Sequence, residues 1–153
     1  MTDFSLIARG MSEGVPLVGH LGLEVTSVNE GEAEVLLPAR PELTNHVGSQ
    51  HAGSLFSAAE TASGAAFVGA FVERMAEVVP LVRGAEISYE RVAEGPIRAK
   101  AKLGMPPEIA IETLEADGKV SFPCEVELVD AEGELVATAT VRWHLRRKEP
   151  AAA

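Results

Sequence analysis

Apolar and polar side chains alternate in short runs over most of this chain, and one long stretch with a different period interrupts them. Leu23, Val25 and Val28, followed by Ala33, Val35 and Leu37 set among Glu32, Glu34 and Leu36, predict two strands. Asn29-Glu30-Gly31 turns one into the other, and Pro38 ends the pair. From about Ala52 to Glu77 the period changes. Leu55, Phe56, Ala59, Ala62, Ala66, Phe67, Ala70 and Phe71 recur at steps of three and four, which predicts one long helix. Its remaining faces are mostly Ala, Gly and Ser, so it is expected to be covered on most sides and to let a sheet approach closely.

Strands are predicted again over Leu81 to Val92, Ile97 to Leu103, Val120 to Val129 and Glu134 to Leu145. Asp130-Ala131-Glu132-Gly133 joins the last two as a hairpin turn. Met105-Pro106-Pro107 breaks the pattern before a short helix at Glu108 to Ala116, ended by Asp117-Gly118. At the start, Phe4, Leu6, Ile7 and Met11 have helical spacing, so residues 1–19 are read as a helical extension and residues 146–153 as a polar tail.

A strand hairpin, one buried helix and a run of antiparallel strands able to curl around it make an α+β fold: an antiparallel sheet wrapped around one long central helix. No linker or repeat divides residues 1–153, which read as a single domain. A sheet wrapped on a single helix keeps a face or an edge uncovered, and a second copy of the chain is the natural cover.

Composition narrows the partners. The net charge of −10 argues against nucleic acid, whose phosphates require a dominant basic surface. Cys124 is the only cysteine, so no disulfide forms within the chain; it is expected to be a small buried hydrophobe in a reducing setting. The first residues lack the basic segment and apolar run of a secretory signal, and the cytoplasm is the expected location. Ser54 to Val72 has the length of a membrane span, but Glu60, three serines and two glycines within it speak for a soluble core helix.

The candidate chemistry lies where the polar loop Asn45-His46-Val47-Gly48-Ser49-Gln50-His51 runs into the long helix. Gly48 and Gly53 permit turns and close approaches. A helix start near Ala52 and Gly53 offers unpaired N–H groups and the positive end of the dipole, which together can hold an oxyanion. Glu60, eight residues beyond Ala52, lies roughly 12 Å along the axis and about 80° round it, so one copy cannot bring both groups to a single carbonyl. Two antiparallel copies can.

Each candidate also has a plainer reading. Glu60 could be a surface carboxylate, yet Phe56, Ser57, Ser63 and Gly64 at three and four residues offer it no cation, and desolvation there would raise its pKa as a general base needs. His51 either serves the site or holds the loop, and Asn45 either serves the site or stabilises a turn. His46, His51 and Glu60 match no metal-ligand spacing, so no metal is expected. Arg98, Lys100 and Lys102 share one face of a strand, where they either guard an edge or meet the phosphates of a ligand; Arg146, Arg147 and Lys148 are the alternative phosphate contacts.

Asn45-x-x-Gly48-x-x-His51-Ala52-Gly53, followed by Glu60-Thr61-Ala62-x-Gly64, resembles the signature of hotdog-fold acyl-CoA thioesterases of the phenylacetate-degradation and 4-hydroxybenzoyl-CoA type. In that family the loop reads Asn-x-x-Gly-x-x-His-Gly-Gly, with an acidic residue fifteen positions after the Asn. The likeness extends over strand order, the Tyr89 strand and the closing hairpin. It implies a homodimer, with a dimer of dimers as a further step, that hydrolyses acyl- or aryl-CoA and needs no cofactor beyond the coenzyme A of its substrate. It further implies that Glu60 is the nucleophile or general base and that the amides of Ala52 and Gly53 of the other chain polarise the carbonyl. Asn45 would orient water or Glu60, and His51 would hold the loop. With coenzyme A as part of the substrate, Gly48 and Arg83 are candidate substrate contacts, and Arg98, Lys100 and Lys102, singled out by their shared strand face, are candidates for its phosphates. Ala52 replaces the first glycine of the motif, and Arg83 stands near where some relatives carry a Ser or Thr. These departures leave a non-catalytic acyl-CoA or lipid binder as the alternative; a hotdog hydratase or dehydratase using His46 and Glu60 is a further one, without that group's proline-rich loop.

Overall fold

The computed structural model describes residues 1–152. Helices α1 (Phe4–Gly14) and α2 (Pro16–Leu21) precede strands β1 (Glu24–Asn29) and β2 (Glu32–Leu37). A 3-10 turn at Pro41–Leu43 and the polar loop lead into α3 (Ala52–Phe71), which continues as a 3-10 segment, Val72–Glu77. Then come β3 (Val78–Tyr89), β4 (Ile97–Leu103), α4 (Pro107–Asp117), β5 (Lys119–Val129) and β6 (Leu135–Arg147). The strands form one six-stranded antiparallel sheet in the order β1-β2-β4-β5-β6-β3, so the strand that follows α3 ends up at the far edge. The α+β expectation holds.

Alternation decides which face of the sheet meets α3. Along β4, Ile97, Ala99, Ala101 and Leu103 are buried while Arg98, Lys100 and Lys102 are exposed. On α3, Ala58, Ala59, Ala62, Ala65 and Ala66 are fully buried, and α3 packs chiefly on β2, β4 and β5. Their lack of bulk brings the helix close: a Cβ on Gly69 would collide with the Asn29 carbonyl oxygen and come within 2.8 Å of Val28 Cγ1. Phe67, Phe71, Phe122 and Trp143 fill the space toward β5 and β6, with Phe67 and Trp143 ring centres 4.5 Å apart. The Trp143 Nε1–H donates to Ser63 Oγ at 3.0 Å, and that hydroxyl donates to the Glu60 carbonyl at 2.7 Å. A polar thread thus pins the middle of α3 to β6, satisfying groups whose burial would otherwise cost free energy.

Several boundaries differ from the sequence reading. The α-helix ends at Phe71 rather than Glu77, because beyond Phe71 the apolar stripe gives out in Glu73, Arg74 and Glu77 and a tighter turn redirects the chain into β3. β3 begins at Val78, so Pro80 lies inside it; an edge strand tolerates a residue without an N–H. β6 runs through Arg146 and Arg147, two residues into the expected tail, because β3 supplies them with partners at Val79 and Val78. The extension contains a second helix, α2, opened by Pro16 at its first turn and closed by Gly22 at φ 69°. The Ala52–Glu77 stretch is the one helix among the described residues long and apolar enough to cross a membrane, and 72% of its most apolar window is buried, as in a core helix.

The face of the sheet turned away from α3 carries charge in rows. Glu34, Lys100 and Glu127 stand side by side across β2, β4 and β5, and Glu32, Lys102 and Glu125 form the next row. Lys102 lies 3.3 Å from Glu32, and Arg98 lies 3.4 Å from Glu34. Exposed pairs of this kind contribute at most about 1 kcal/mol each.

Candidate active site

The polar loop is held by its own side chains. Asn45 Oδ1 accepts from the N–H groups of Val47 and Ser49, both at 3.1 Å, and its Nδ2 donates to Ser49 Oγ at 2.8 Å. Gly48 takes φ 82°, a turn conformation costly for a side chain, and donates to the Asn45 carbonyl. Asn45 is therefore engaged within its own loop on both ends of its amide. Gln50 does comparable work at longer range. Its buried Nε2 bridges the carbonyls of Pro38 at 3.0 Å and Gly95 at 2.8 Å, while its N–H reaches the Ala93 carbonyl. Nothing in the motif singled out Gln50, since its partners come from two other loops.

His51 is the N-cap of α3. Its Nδ1 accepts from the Gly53 N–H at 2.8 Å, and its carbonyl accepts from Ser54 and Leu55. Of the four donors a helix start leaves open, three are taken. The Gly53 amide, expected as a second oxyanion donor, is spent on the cap. The Ala52 N–H has no acceptor among the described residues, and Ala52 is exposed. From the other side, the Tyr89 hydroxyl donates to the Ala52 carbonyl at 3.0 Å, tying the end of β3 to the first turn of α3. The strand pattern places Tyr89, the chain's single tyrosine, in β3, but only the fold brings its hydroxyl to this turn.

Glu60 sits on α3 two turns further on. Its side chain is half-buried and has neither a hydrogen bond nor an ion pair among the described residues, and burial alone pushes its carboxyl above the ordinary glutamate range. The Ser63 hydroxyl holds its carbonyl and leaves its carboxylate free. Within one chain the helical rise keeps Glu60 roughly 12 Å along the axis from the Ala52 amide, so the two do not meet.

The remaining candidates lie apart from these groups. Arg98, Lys100 and Lys102 face away from α3: Lys100 stands between Glu34 and Glu127 and Lys102 between Glu32 and Glu125, while Arg98 lies in register with Leu36 and Val129 and reaches Glu34 from the next row. A broad hollow of about 950 Å³ on that face is lined by Lys100, Lys102 and the glutamates beside them and does not reach Glu60. Arg83 lies at an irregularity of β3 between Val82 and Gly84 and is exposed. Arg147 donates to the Glu115 carbonyl and Lys148 to the Ala76 carbonyl, so both brace α4 and the 3-10 segment. His46 is exposed at the loop tip, and no cluster of three His, Cys, Asp or Glu side chains suited to a metal occurs among the described residues. Cys124 is fully buried, with its thiol pushed up to about 12 by burial and then by Glu125, which makes it inert.

The sequence family described as "Domain of unknown function (DUF4442)" matches residues 4–145. No curated protein matches the chain by sequence. Among solved structures, a Pseudomonas aeruginosa protein of unknown function described as a probable thioesterase superposes with a TM-score of 0.83 at 29% identity, over 94% of this chain and 95% of its own. The E. coli PaaI protein of the phenylacetic acid degradation operon gives 0.71 at 22% identity, over 95% and 93%. A variant of a Staphylococcus aureus thioesterase gives 0.72 at 14% identity, over 86% and 99%. The fold is the hotdog fold.

Proposed function

This chain belongs to the family described as Domain of unknown function (DUF4442), and from that membership, its hotdog fold and the geometry around Glu60 we propose that it is an acyl-CoA thioesterase working as a dimer. The observation that carries the reading is a pair of unfilled groups: a half-buried carboxylate without a counter-ion, and one exposed helix-start amide without an acceptor. A purely structural glutamate in this position would be expected to have a partner.

The edge strand supports the dimer. β3 pairs only with β6, lies outside the sheet area that α3 chiefly covers, and leaves Leu81 and Val82 more than 40% exposed. A second β3 running antiparallel would continue the sheet and cover that surface. It would also set α3 of one chain beside its counterpart, bringing Ala52 of the partner subunit toward Glu60.

In the proposed reaction Glu60 takes a proton from water as that water attacks the thioester carbonyl carbon. The carbonyl oxygen gains the negative charge and is held by the N–H of Ala52 of the partner subunit. The tetrahedral adduct then collapses, the C–S bond breaks, the leaving thiolate takes the proton held by Glu60, which restores the carboxylate, and the carboxylic acid is released. One oxyanion donor in other enzymes is worth on the order of 3 kcal/mol, so a single free amide is a sufficient scale for the effect. His51, Asn45, Gln50 and Tyr89 act on the amide through the loop and the cap, without touching substrate.

A second reading, a binder of acyl-CoA without turnover, is favoured by one specific feature: the Ala52 methyl group stands where the family motif has glycine. Steady-state hydrolysis of short-chain, long-chain and aryl-CoA thioesters by the parent and by Glu60→Gln decides between them. The thioesterase reading expects turnover that falls at least a hundredfold in Glu60→Gln, an effect of about 3 kcal/mol. Saturable binding with no turnover on any thioester would instead establish the binder.

A further inference from the structure

The outer face of the sheet does not distribute its charges evenly. Over β2, β4 and the adjoining part of β5, each lysine stands between glutamates, and Arg142 of β6 lies 3.3 Å from Glu86. Beyond Pro123 that pattern stops. The last two rows place Ser121 beside His144 and Leu81, and Lys119 beside Arg146 and Val79. Neither row contains a carboxylate. Arg83, from the irregular turn of β3, joins them. Among the described residues Arg83, Lys119 and Arg146 make no ion pair.

At the centre of this patch His144 is only 9% exposed, and its Nδ1 lies 2.7 Å from Ser121 Oγ. Burial first, and then the charges of Arg83, Lys119 and Arg146, hold the imidazole below its ordinary range. In a chain of net charge −10, three cations gathered without counter-charge repel one another, and a multiply charged anion between them relieves the repulsion.

We propose that Arg83, Lys119 and Arg146, gathered around the Ser121–His144 pair, form a binding site for a phosphomonoester group. The two guanidinium groups provide fork-shaped donors for tetrahedral oxygens, the ammonium adds a point charge, and the Ser121 hydroxyl adds a neutral donor. An extended polyanion is a poor fit, because beyond the single Pro123–Arg142–Gly84 row, whose Arg142 is already paired with Glu86, the next row carries Glu125 and Glu86 and would repel its continuation. The site lies on the opposite face of the sheet from α3 and stands independently of the thioester reading. Two bearers of the group satisfy the same chemistry: the 3′-phosphate of a coenzyme A nucleotide and free inorganic phosphate.

Calorimetric titration of the full chain at low salt with adenosine 3′,5′-bisphosphate, and separately with inorganic phosphate, tests the site. Saturable binding is expected, weakened about tenfold by Lys119→Ala or Arg146→Ala, and unchanged by Arg9→Ala on the remote face of α1. Added salt weakens it further. A KM for acyl-CoA that rises in Arg146→Ala while the KM for a phosphate-free acyl-pantetheine stays constant assigns the site to the nucleotide; inorganic phosphate binding with both KM values unchanged assigns it to free phosphate. Absence of saturable binding by either ligand, or binding that both alanine variants leave intact, overturns the proposal. Absence of turnover bears on the thioester reading alone, because the titration requires none.

Discussion

The Tyr89 hydroxyl donates to the Ala52 carbonyl across 3.0 Å, and through that one bond the edge strand holds the turn of α3 whose N–H is free. Ala52 thus presents its carbonyl to Tyr89 and its amide outward. Tyr89→Phe keeps the ring and removes the bond, whose net contribution is about 1 kcal/mol. If the Ala52 amide is the oxyanion donor, kcat should fall about fivefold with KM nearly constant, and the melting temperature should change little. Unchanged kcat in a well-folded variant would remove Tyr89 from the site.

Glu60 holds its proton more tightly in the folded chain than in the unfolded one, because burial disfavours its charge. Its contribution to stability is therefore complete at low pH and is lost as the pH rises through the raised folded value. Glu60→Gln carries no charge at any pH. It is expected to melt above the parent at neutral pH, with the difference vanishing below the ordinary glutamate range. Melting curves recorded from acid to neutral pH check this, and a constant difference across that range would contradict it. For the parent enzyme the same shift places the acid limb of the rate profile above the ordinary glutamate range, since the base must be ionised.

Ser63 accepts from Trp143 Nε1 in a fully buried setting. Ser63→Ala leaves the indole N–H without a partner, a loss of about 1–3 kcal/mol that urea denaturation will register as a lower midpoint at constant slope. Pairing it with Trp143→Phe, which removes the stranded donor, should cost less than the two single losses added together. Strict additivity would mean that the bond carries no energy.

The glycines of two helices should respond in opposite directions. Gly69→Ala drives a methyl group into the Asn29 carbonyl and against Val28, and a loss of about 2–3 kcal/mol is expected. Gly10→Ala on α1 meets nothing within 4 Å and should gain up to about 1 kcal/mol from helix propensity. Thermal melts of the two variants side by side are sufficient to check the contrast.

The sequence by itself determined α3, the alternating strands and the candidate carboxylate. Period and composition are local properties: a stripe of Phe, Leu and Ala at three- and four-residue steps leaves few alternatives to a buried helix, and a glutamate on that stripe with no cation nearby is conspicuous whatever surrounds it. Only the tertiary structure decided what stands opposite each group. Alternation shows that Arg98, Lys100 and Lys102 share a face, but the register of β2 and β5 decides that glutamates flank the two lysines, and the pairing of β3, β6 and β5 leaves Lys119 and Arg146 without any. The helix ends where packing against the sheet ends, and β6 continues as far as β3 pairs with it. The Gln50 bridge to Gly95 and the Tyr89 clamp on Ala52 join residues far apart in the chain. Such contacts form only once the sheet has curled, because each depends on where several distant segments stop, and no short window of sequence contains that information.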